Sequence, residues 1–281
     1  MIRRYLSFIR FGHSVFALPF ALVGALLAAR LVTVGWHQVL WIVVAMVAAR
    51  SAAMGFNRLV DAEYDARNPR TAMRELPQGA ITRPAATVFV VISSVVFVAA
   101  AGQLSTLCLA LSPVALAIVF WYSLAKRYTA YTQAFLGLAM AVAPVGGWLA
   151  AGGRGGWEPW LLGLAIGLWV GGFDVLYACQ DLEFDRAHGL QSIPVRFGLT
   201  RSILISRVMH ASTILCMLLV GYIAGLGPLY AAGVALVGVL LVYEQSLVTP
   251  DDLSQVKRAF DLNGYVGILY LVTTAAAIYI R

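Results

Sequence analysis

Charge is scarce in this chain. Of its 281 residues only 12% are charged and 61% are hydrophobic, and the mean hydropathy is +0.83. A soluble domain is about a quarter charged and about half apolar. A soluble fold of this length is therefore excluded, because the bilayer must take up the apolar surface that no core of this size can hold. Acidic residues are scarcer than basic ones, 13 against 20, which leaves a formal net charge of +7. In so apolar a chain the excess belongs to cytoplasmic loops rather than to a nucleic-acid surface, so no nucleic-acid partner is expected. There are only three cysteines, Cys108, Cys179 and Cys216, all in apolar segments without metal-type spacing. They read as small packing residues, with neither a disulfide nor zinc expected. His13, His37, His188 and His210 are too dispersed to form a cluster. Linkers and low-complexity tracts are lacking too, and one domain over residues 1–281 is expected. No small-residue cleavage site closes the first apolar run, so it is expected to be retained as a helix.

What the chain has in plenty is long apolar runs. A spanning helix needs about 20 mostly apolar residues, and segments that qualify are 14–34, 37–59, 84–103, 106–123, 131–150, 158–180, 204–226, 228–247 and 262–280. The expected fold is all-α, a polytopic bundle of about nine transmembrane helices. With the connections numbered alternately, the side of the N-terminus collects Arg3, Arg4, Arg10, Arg58, Arg67, Arg70, Arg74, Arg83, Lys126, Arg127, Arg186, Arg196, Arg201, Arg207, Lys257 and Arg258. The other side holds only Arg30, Arg154 and Arg281, and Arg50 lies inside the second span. That asymmetry makes the first side cytoplasmic and supports an odd number of spans in a plasma (inner) membrane. The two longest connections, 61–83 and 181–203, lie on that side and hold most of the acids, as loops that carry chemistry tend to.

Two carboxylate ladders stand out. Asn57, Asp61 and Asp65, in NRLVDAEYD, end the second span; Asp181 and Asp185, in YACQDLEFD, end the sixth. Spacing of four places successive side chains on one helical face, about 6 Å apart. Tyr177 and Asp174 precede Asp181 by four and seven residues and share its predicted face. Gly163, Gly167 and Gly171 lie on nearly the same stripe, where small residues allow close helix approach. Paired acids at this depth are costly and repel one another. Magnesium relieves both problems, because it takes oxygen ligands and is bound through one or two carboxylates plus substrate phosphates. Two facing ladders suit two Mg²⁺ ions with a diphosphate between them, the metals neutralising charge as diphosphate leaves. Asn57, Asp61, Asp65, Asp181 and Asp185 are the expected metal ligands, and the four aspartates with Tyr177 the expected catalytic set. Lys126 and Arg127, at the end of the fourth span, and Arg67 and Arg70, in the loop after the first ladder with Arg74, are expected to hold diphosphate. Arg50 sits mid-span on the Asn57–Asp61 face, where an arginine pairs with an acid or an anionic substrate group.

The ladders, loops and nine spans together resemble the UbiA superfamily of intramembrane prenyltransferases over essentially the whole chain. Asn57-x-x-x-Asp61-x-x-x-Asp65 is similar to the family's first aspartate-rich motif, and Asp174, Tyr177, Asp181 and Asp185 to its second. Arg70-Thr71, Arg74, Pro77 and Gly79 resemble the loop after the first motif. Tyr122, Lys126, Arg127, Thr129 and Gln133, and the stretch GLQSIPVRFG, resemble two further signatures. The resemblance implies a helical bundle with a central cavity open sideways to lipid, in which the two motifs face each other, bind Mg²⁺ and hold a polyprenyl diphosphate. It also implies that the donor ionises to an allylic cation, which an electron-rich aromatic ring attacks. One departure is Arg58, which follows Asn57 where many members place an aspartate.

The opening YLSFIRFGHSVFALPFALVGALLA and the run FNRLVDAEYDARNPRT look closest to a 4-hydroxybenzoate-type subgroup, some members of which serve a dihydroxynaphthoate acceptor instead. Both acceptors carry a carboxylate, for which Arg50 or Arg58 is the expected partner, with Asp174 beside them. Two rivals are weaker. A transporter would place its acids nearer the midplane, and a phosphatidyltransferase of the CDP-alcohol type would need a tight acidic run that is absent.

Overall fold

The computed structural model describes residues 2–10 and 17–280. His13 and the start of the first expected span lie outside the described residues. The described residues form helices α1 (Ile2–Phe8), α2 (Leu18–Ala28), α3 (Trp36–Arg67), α4 (Arg83–Leu104), α5 (Thr106–Ala125), α6 (Thr132–Ala150), α7 (Glu158–Ala178), α8 (Leu182–Ala187), α9 (Ile193–Ala224), α10 (Gly227–Ser246) and α11 (Val256–Tyr279). Eight of the helical segments are long and apolar enough to cross a membrane, with α7 and α8 counted as one, and α2 is a shorter apolar helix. The chain is thus an all-helical, multi-pass membrane protein, and the nine apolar segments read from the sequence correspond to α2 through α7 and α9 through α11.

Caps mark where the chain re-enters a helix. Thr82 accepts from the Ala85 amide at 3.3 Å, Ser105 from Cys108 at 3.1 Å and Ser192 from Val195 at 3.4 Å, each satisfying one of the amides a helix start leaves bare. The α7 segment is the most buried of the spanning helices and α5 the least. α7 packs on α6 and α9, α3 on α4, and α2 on α6. The glycine stripe is the reason α7 lies so close to α6: a Cβ on Gly137 would run into the Gly167 carbonyl, and one on Gly163 would meet Val145 and Ala141. Phe20, Trp169 and Tyr270 form the buried aromatic centre. Val88, Val95, Leu215, Val239 and Val242 are exposed apolar residues, as a lipid-facing surface requires.

Three boundaries differ from the expected ones, and each matters to the site. α3 does not end at residue 59 but runs on to Arg67 as one helix of 32 residues. At 1.5 Å per residue that is about 48 Å, well beyond a hydrocarbon core of about 30 Å, so its last turns carry Asn57, Asp61 and Asp65 out to the membrane surface. The second ladder is not on one uninterrupted helix. A 3₁₀ turn, Cys179–Asp181, separates α7 from α8, and its tighter winding advances each residue by about 20° more than an α-helix. Asp181 and Asp185 are thereby rotated off the line of Asp174 and Tyr177. Finally, much of the expected loop 181–203 is helical: α9 starts at Ile193 and bends at Gly198, whose φ of 76° breaks the helix. At the opposite end, Arg30 donates to the Ala224 carbonyl and ties the end of α2 to the end of α9.

Candidate active site

The ends of α3, α5 and α7, with α8 and the segments 68–82 and 188–192, enclose a polar cavity of about 310 Å³. Asn57, Asp61, Asp65, Asp174, Tyr177, Asp181 and Asp185 all line it. Two ladders more than a hundred residues apart in sequence thus face one space. Asn68 bridges them, its amide donating to Asp181 at 3.2 Å.

Cations from two connecting segments hold three of the carboxylates. Asp61, 4% exposed, accepts from Lys126 Nζ at 2.8 Å, from Arg127 at 2.9 Å and from the Asn57 amide at 3.3 Å. Arg127 also donates to the Val60 and Ser123 carbonyls, at 2.7 and 3.0 Å, so backbone atoms hold it in place. Tyr64 sits beneath both cations, 5.8 Å from Lys126 and 5.3 Å from Arg127. Asp65 accepts from Arg74 Nη1 at 2.7 Å through each of its oxygens, and its backbone carbonyl accepts from Thr71 at 3.0 Å. On the other ladder, Arg70 bonds both oxygens of Asp181, donates to the Tyr177 hydroxyl at 2.9 Å and lies 5.1 Å from that ring. Burial pulls the pKa of Arg70 down, but the hydrogen bond to Asp181 and the charges of Asp181, Tyr177 and Asp65 together hold the guanidinium above its ordinary range. Asp185 lies within reach of the Ser192 hydroxyl.

Arg50 occupies the wall where this cavity adjoins a second, apolar chamber of about 720 Å³, lined by α3 through α7. Tyr122, Leu136 and Met140 belong to both as well. Arg50 Nε is buried and has no hydrogen-bond partner among the described residues, a costly state for a guanidinium donor unless an anion reaches it. Arg58 is 3% exposed, lines the polar cavity, and donates to the Phe8 carbonyl at 3.3 Å.

Eleven of the thirteen residues singled out in the sequence therefore line one cavity, and Arg127 reaches it through Asp61. Arg67 does not join them; it is exposed at the end of α3, because it stands two residues after Asp65, about 200° round the helix and so on the opposite face. Arg10, Asn68 and Tyr122 line the cavity without having been assigned a role there. Arg10 and Asn68 come from connecting segments, whose direction no periodicity predicts. Arg10 has a φ of 46°, rare for a residue with a Cβ. His210 is structural: it lies in the core, bonded to the Trp169 carbonyl at 3.2 Å and to Gln245 at 3.0 Å.

The donor set fits a magnesium–diphosphate complex better than a metal held by protein alone. It consists of carboxylate and amide oxygens, the ligands Mg²⁺ prefers. Yet among the described residues no three Asp, Glu, His or Cys side chains converge closely enough to hold an ion by themselves. Ions bound here would share one or two carboxylates and complete their shell with phosphate oxygens and water.

The model of the UbiA prenyltransferase family matches residues 17–271. The 4-hydroxybenzoate octaprenyltransferase of Citrobacter koseri is 33% identical over 241 residues, 84% of this chain and 83% of that protein. The enzyme of the same name from Escherichia fergusonii is 32% identical over 84% of this chain and 82% of its own length. Among solved structures, the apo structure of a UbiA homolog from Aeropyrum pernix K1 superposes with a TM-score of 0.86 at 34% identity, covering 93% of this chain and 96% of that one. A UbiA homolog from Archaeoglobus fulgidus, bound to DMAPP and Mg²⁺, shares the fold with a TM-score of 0.74 at 19% identity, covering 99% and 100%. With its two acidic ladders on one cavity and the family model spanning nearly all of it, the chain belongs to the UbiA prenyltransferase family and is a polytopic membrane enzyme of prenyl transfer.

Proposed function

We propose that this enzyme transfers a polyprenyl group from a polyprenyl diphosphate to 4-hydroxybenzoate, with Mg²⁺, on the cytoplasmic side of the plasma (inner) membrane, as a step of quinone synthesis. The observation that carries the reading is the junction of two unlike spaces: a polar cavity of carboxylates and cations, and a larger apolar chamber that meets it at Arg50 and Tyr122. A prenyl diphosphate has the same two-part character. Its diphosphate matches Lys126, Arg70, Arg74 and Arg127, and its hydrocarbon tail matches the chamber. Bound with the diphosphate at Asp61, Asp65, Asp181 and Asp185, magnesium supplies charge neutralisation for the leaving group. The C–O bond to diphosphate breaks, a ring carbon of the acceptor forms the new C–C bond to the allylic carbon, and the ring loses a proton. The faces of Tyr122, Phe173 and Tyr177, which line the cavity, suit a transient carbocation, since aromatic rings attract positive charge. Arg50, whose buried Nε has no partner among the described residues, suits the acceptor's carboxylate, with Arg58 and Asp174 on the same cavity. The names of the related bacterial enzymes favour 4-hydroxybenzoate.

Membranes containing the protein, given labelled polyprenyl diphosphate and Mg²⁺, test the assignment when 4-hydroxybenzoate and 1,4-dihydroxy-6-naphthoate are offered in parallel. Label should enter 4-hydroxybenzoate, and a chelator should stop it. Label in the naphthoate alone would move the assignment to the other acceptor; label in neither would overturn the acceptor class.

A further inference from the structure

Three of the four ladder aspartates are already matched by the chain's own cations, and the matches differ in kind. Asp61 is held by Lys126 and Arg127, and Arg127 is itself anchored to two backbone carbonyls. Asp65 and Asp181 are held by Arg74 and Arg70, both from the 68–82 segment, which has turns but no α-helix. The Arg74 pairing is incomplete. One nitrogen, Nη1, straddles both carboxylate oxygens, while Nε is buried without a partner among the described residues. A guanidinium at its best gives two parallel bonds from two nitrogens. Arg70 keeps about a third of its side chain exposed, at 32%. A divalent ion cannot settle on Asp65 or Asp181 beside these guanidiniums without strong repulsion between like charges.

We propose that Arg70 and Arg74 are resident counter-ions of the two ladders, and that they exchange partners when the site loads. Magnesium takes over Asp65 and Asp181, and the two guanidiniums pass to diphosphate oxygens. The inference rests on the magnesium–diphosphate reading above and adds a coupling to it. Metal alone must evict an arginine that then has no anion to hold. Metal and diphosphate together give every charge a partner, so each tightens the other's binding. Removing an arginine has opposite effects on the two ligands: it frees a carboxylate for the metal and deprives the diphosphate of a donor.

The test is titration calorimetry on the purified chain in detergent, with magnesium chloride, in the absence and presence of inorganic pyrophosphate. Wild type, Arg70→Gln and Arg74→Gln are compared. Wild type should bind Mg²⁺ more tightly with pyrophosphate than without. Each variant should bind Mg²⁺ alone at least about fivefold more tightly than wild type, the lower end of ordinary coupling between sites, and pyrophosphate more weakly. Misfolding weakens both ligands and cannot mimic tighter metal binding. The variants report on opposite ladders, so one folded variant is sufficient. Unchanged or weaker Mg²⁺ binding in a folded variant, with wild type still binding Mg²⁺ and pyrophosphate together, overturns the exchange alone. Absence of Mg²⁺ binding by wild type even with pyrophosphate overturns the underlying magnesium reading.

Discussion

Asp61 and Asp65 are buried at the end of a membrane-spanning helix, each paired with at least one cation. Such groups are expensive unless satisfied, and their placement with Asp181 and Asp185 around one cavity gives the expense a purpose. Replacement of any one of the four by Ala should lower turnover at saturating Mg²⁺ by at least about a hundredfold, the usual scale for losing a charge-stabilising group, while the protein still elutes as a folded species in detergent. Near-normal rates in two or more of them would sink the two-ladder mechanism. Arg50→Ala should act on the acceptor. Loss of a charged hydrogen bond is worth about 1.5–3 kcal/mol, or roughly tenfold to a hundredfold in acceptor KM, with donor KM little changed; a donor-only effect would place Arg50 on the diphosphate instead. Tyr177→Phe removes only the hydroxyl that accepts from Arg70, and a rate loss of about tenfold, the low end for a hydrogen bond to a charged group, is expected.

At the scale of elements, the close approach of α6 to α7 joins two walls of the polar cavity. Gly137 and Gly167 pack backbone against backbone, so Gly137→Ala must push the helices apart. Overpacking of this kind costs about 1–3 kcal/mol, and a lower thermal midpoint in detergent together with a raised donor KM should report it; an unchanged midpoint would show that the helices have room to spare. This crossing was legible in the sequence, because Gly163, Gly167 and Gly171 recur at the helical period. The winding of the second ladder was not. Residues at i and i+4 share a face only while the helix stays α, and nothing in YACQDLEFD announces the 3₁₀ turn at Cys179–Asp181. The same limit applies to the first cytoplasmic connection. Its arginines were visible, but Arg70 and Arg74 reach the ladders and Arg67 does not, a choice made by turns rather than by any repeat.

For the molecule as a whole, the alternation of basic residues predicts an orientation that can be measured directly. Met73, 80% exposed in the connection after α3, and Trp157, 71% exposed before α7, lie on opposite sides by that count. Cysteines placed at these two positions should react with an impermeant thiol reagent from opposite faces of the membrane, Met73→Cys from the cytoplasmic side only. Labelling of both from one face would contradict the proposed topology. Composition and apolar periodicity alone determined that the chain is a bundle of membrane helices, where its apolar segments lie, and that two of them end in acidic ladders, because the bilayer imposes segment length and satisfied backbone hydrogen bonds on any sequence. Tertiary structure decided the rest. It chose which cation holds which carboxylate, left the buried Nε of Arg50 without a partner among the described residues, between a polar and an apolar space, and turned Arg67 away. Those outcomes depend on distances between side chains brought together from separate helices and irregular segments, and a linear spacing carries no information about such distances.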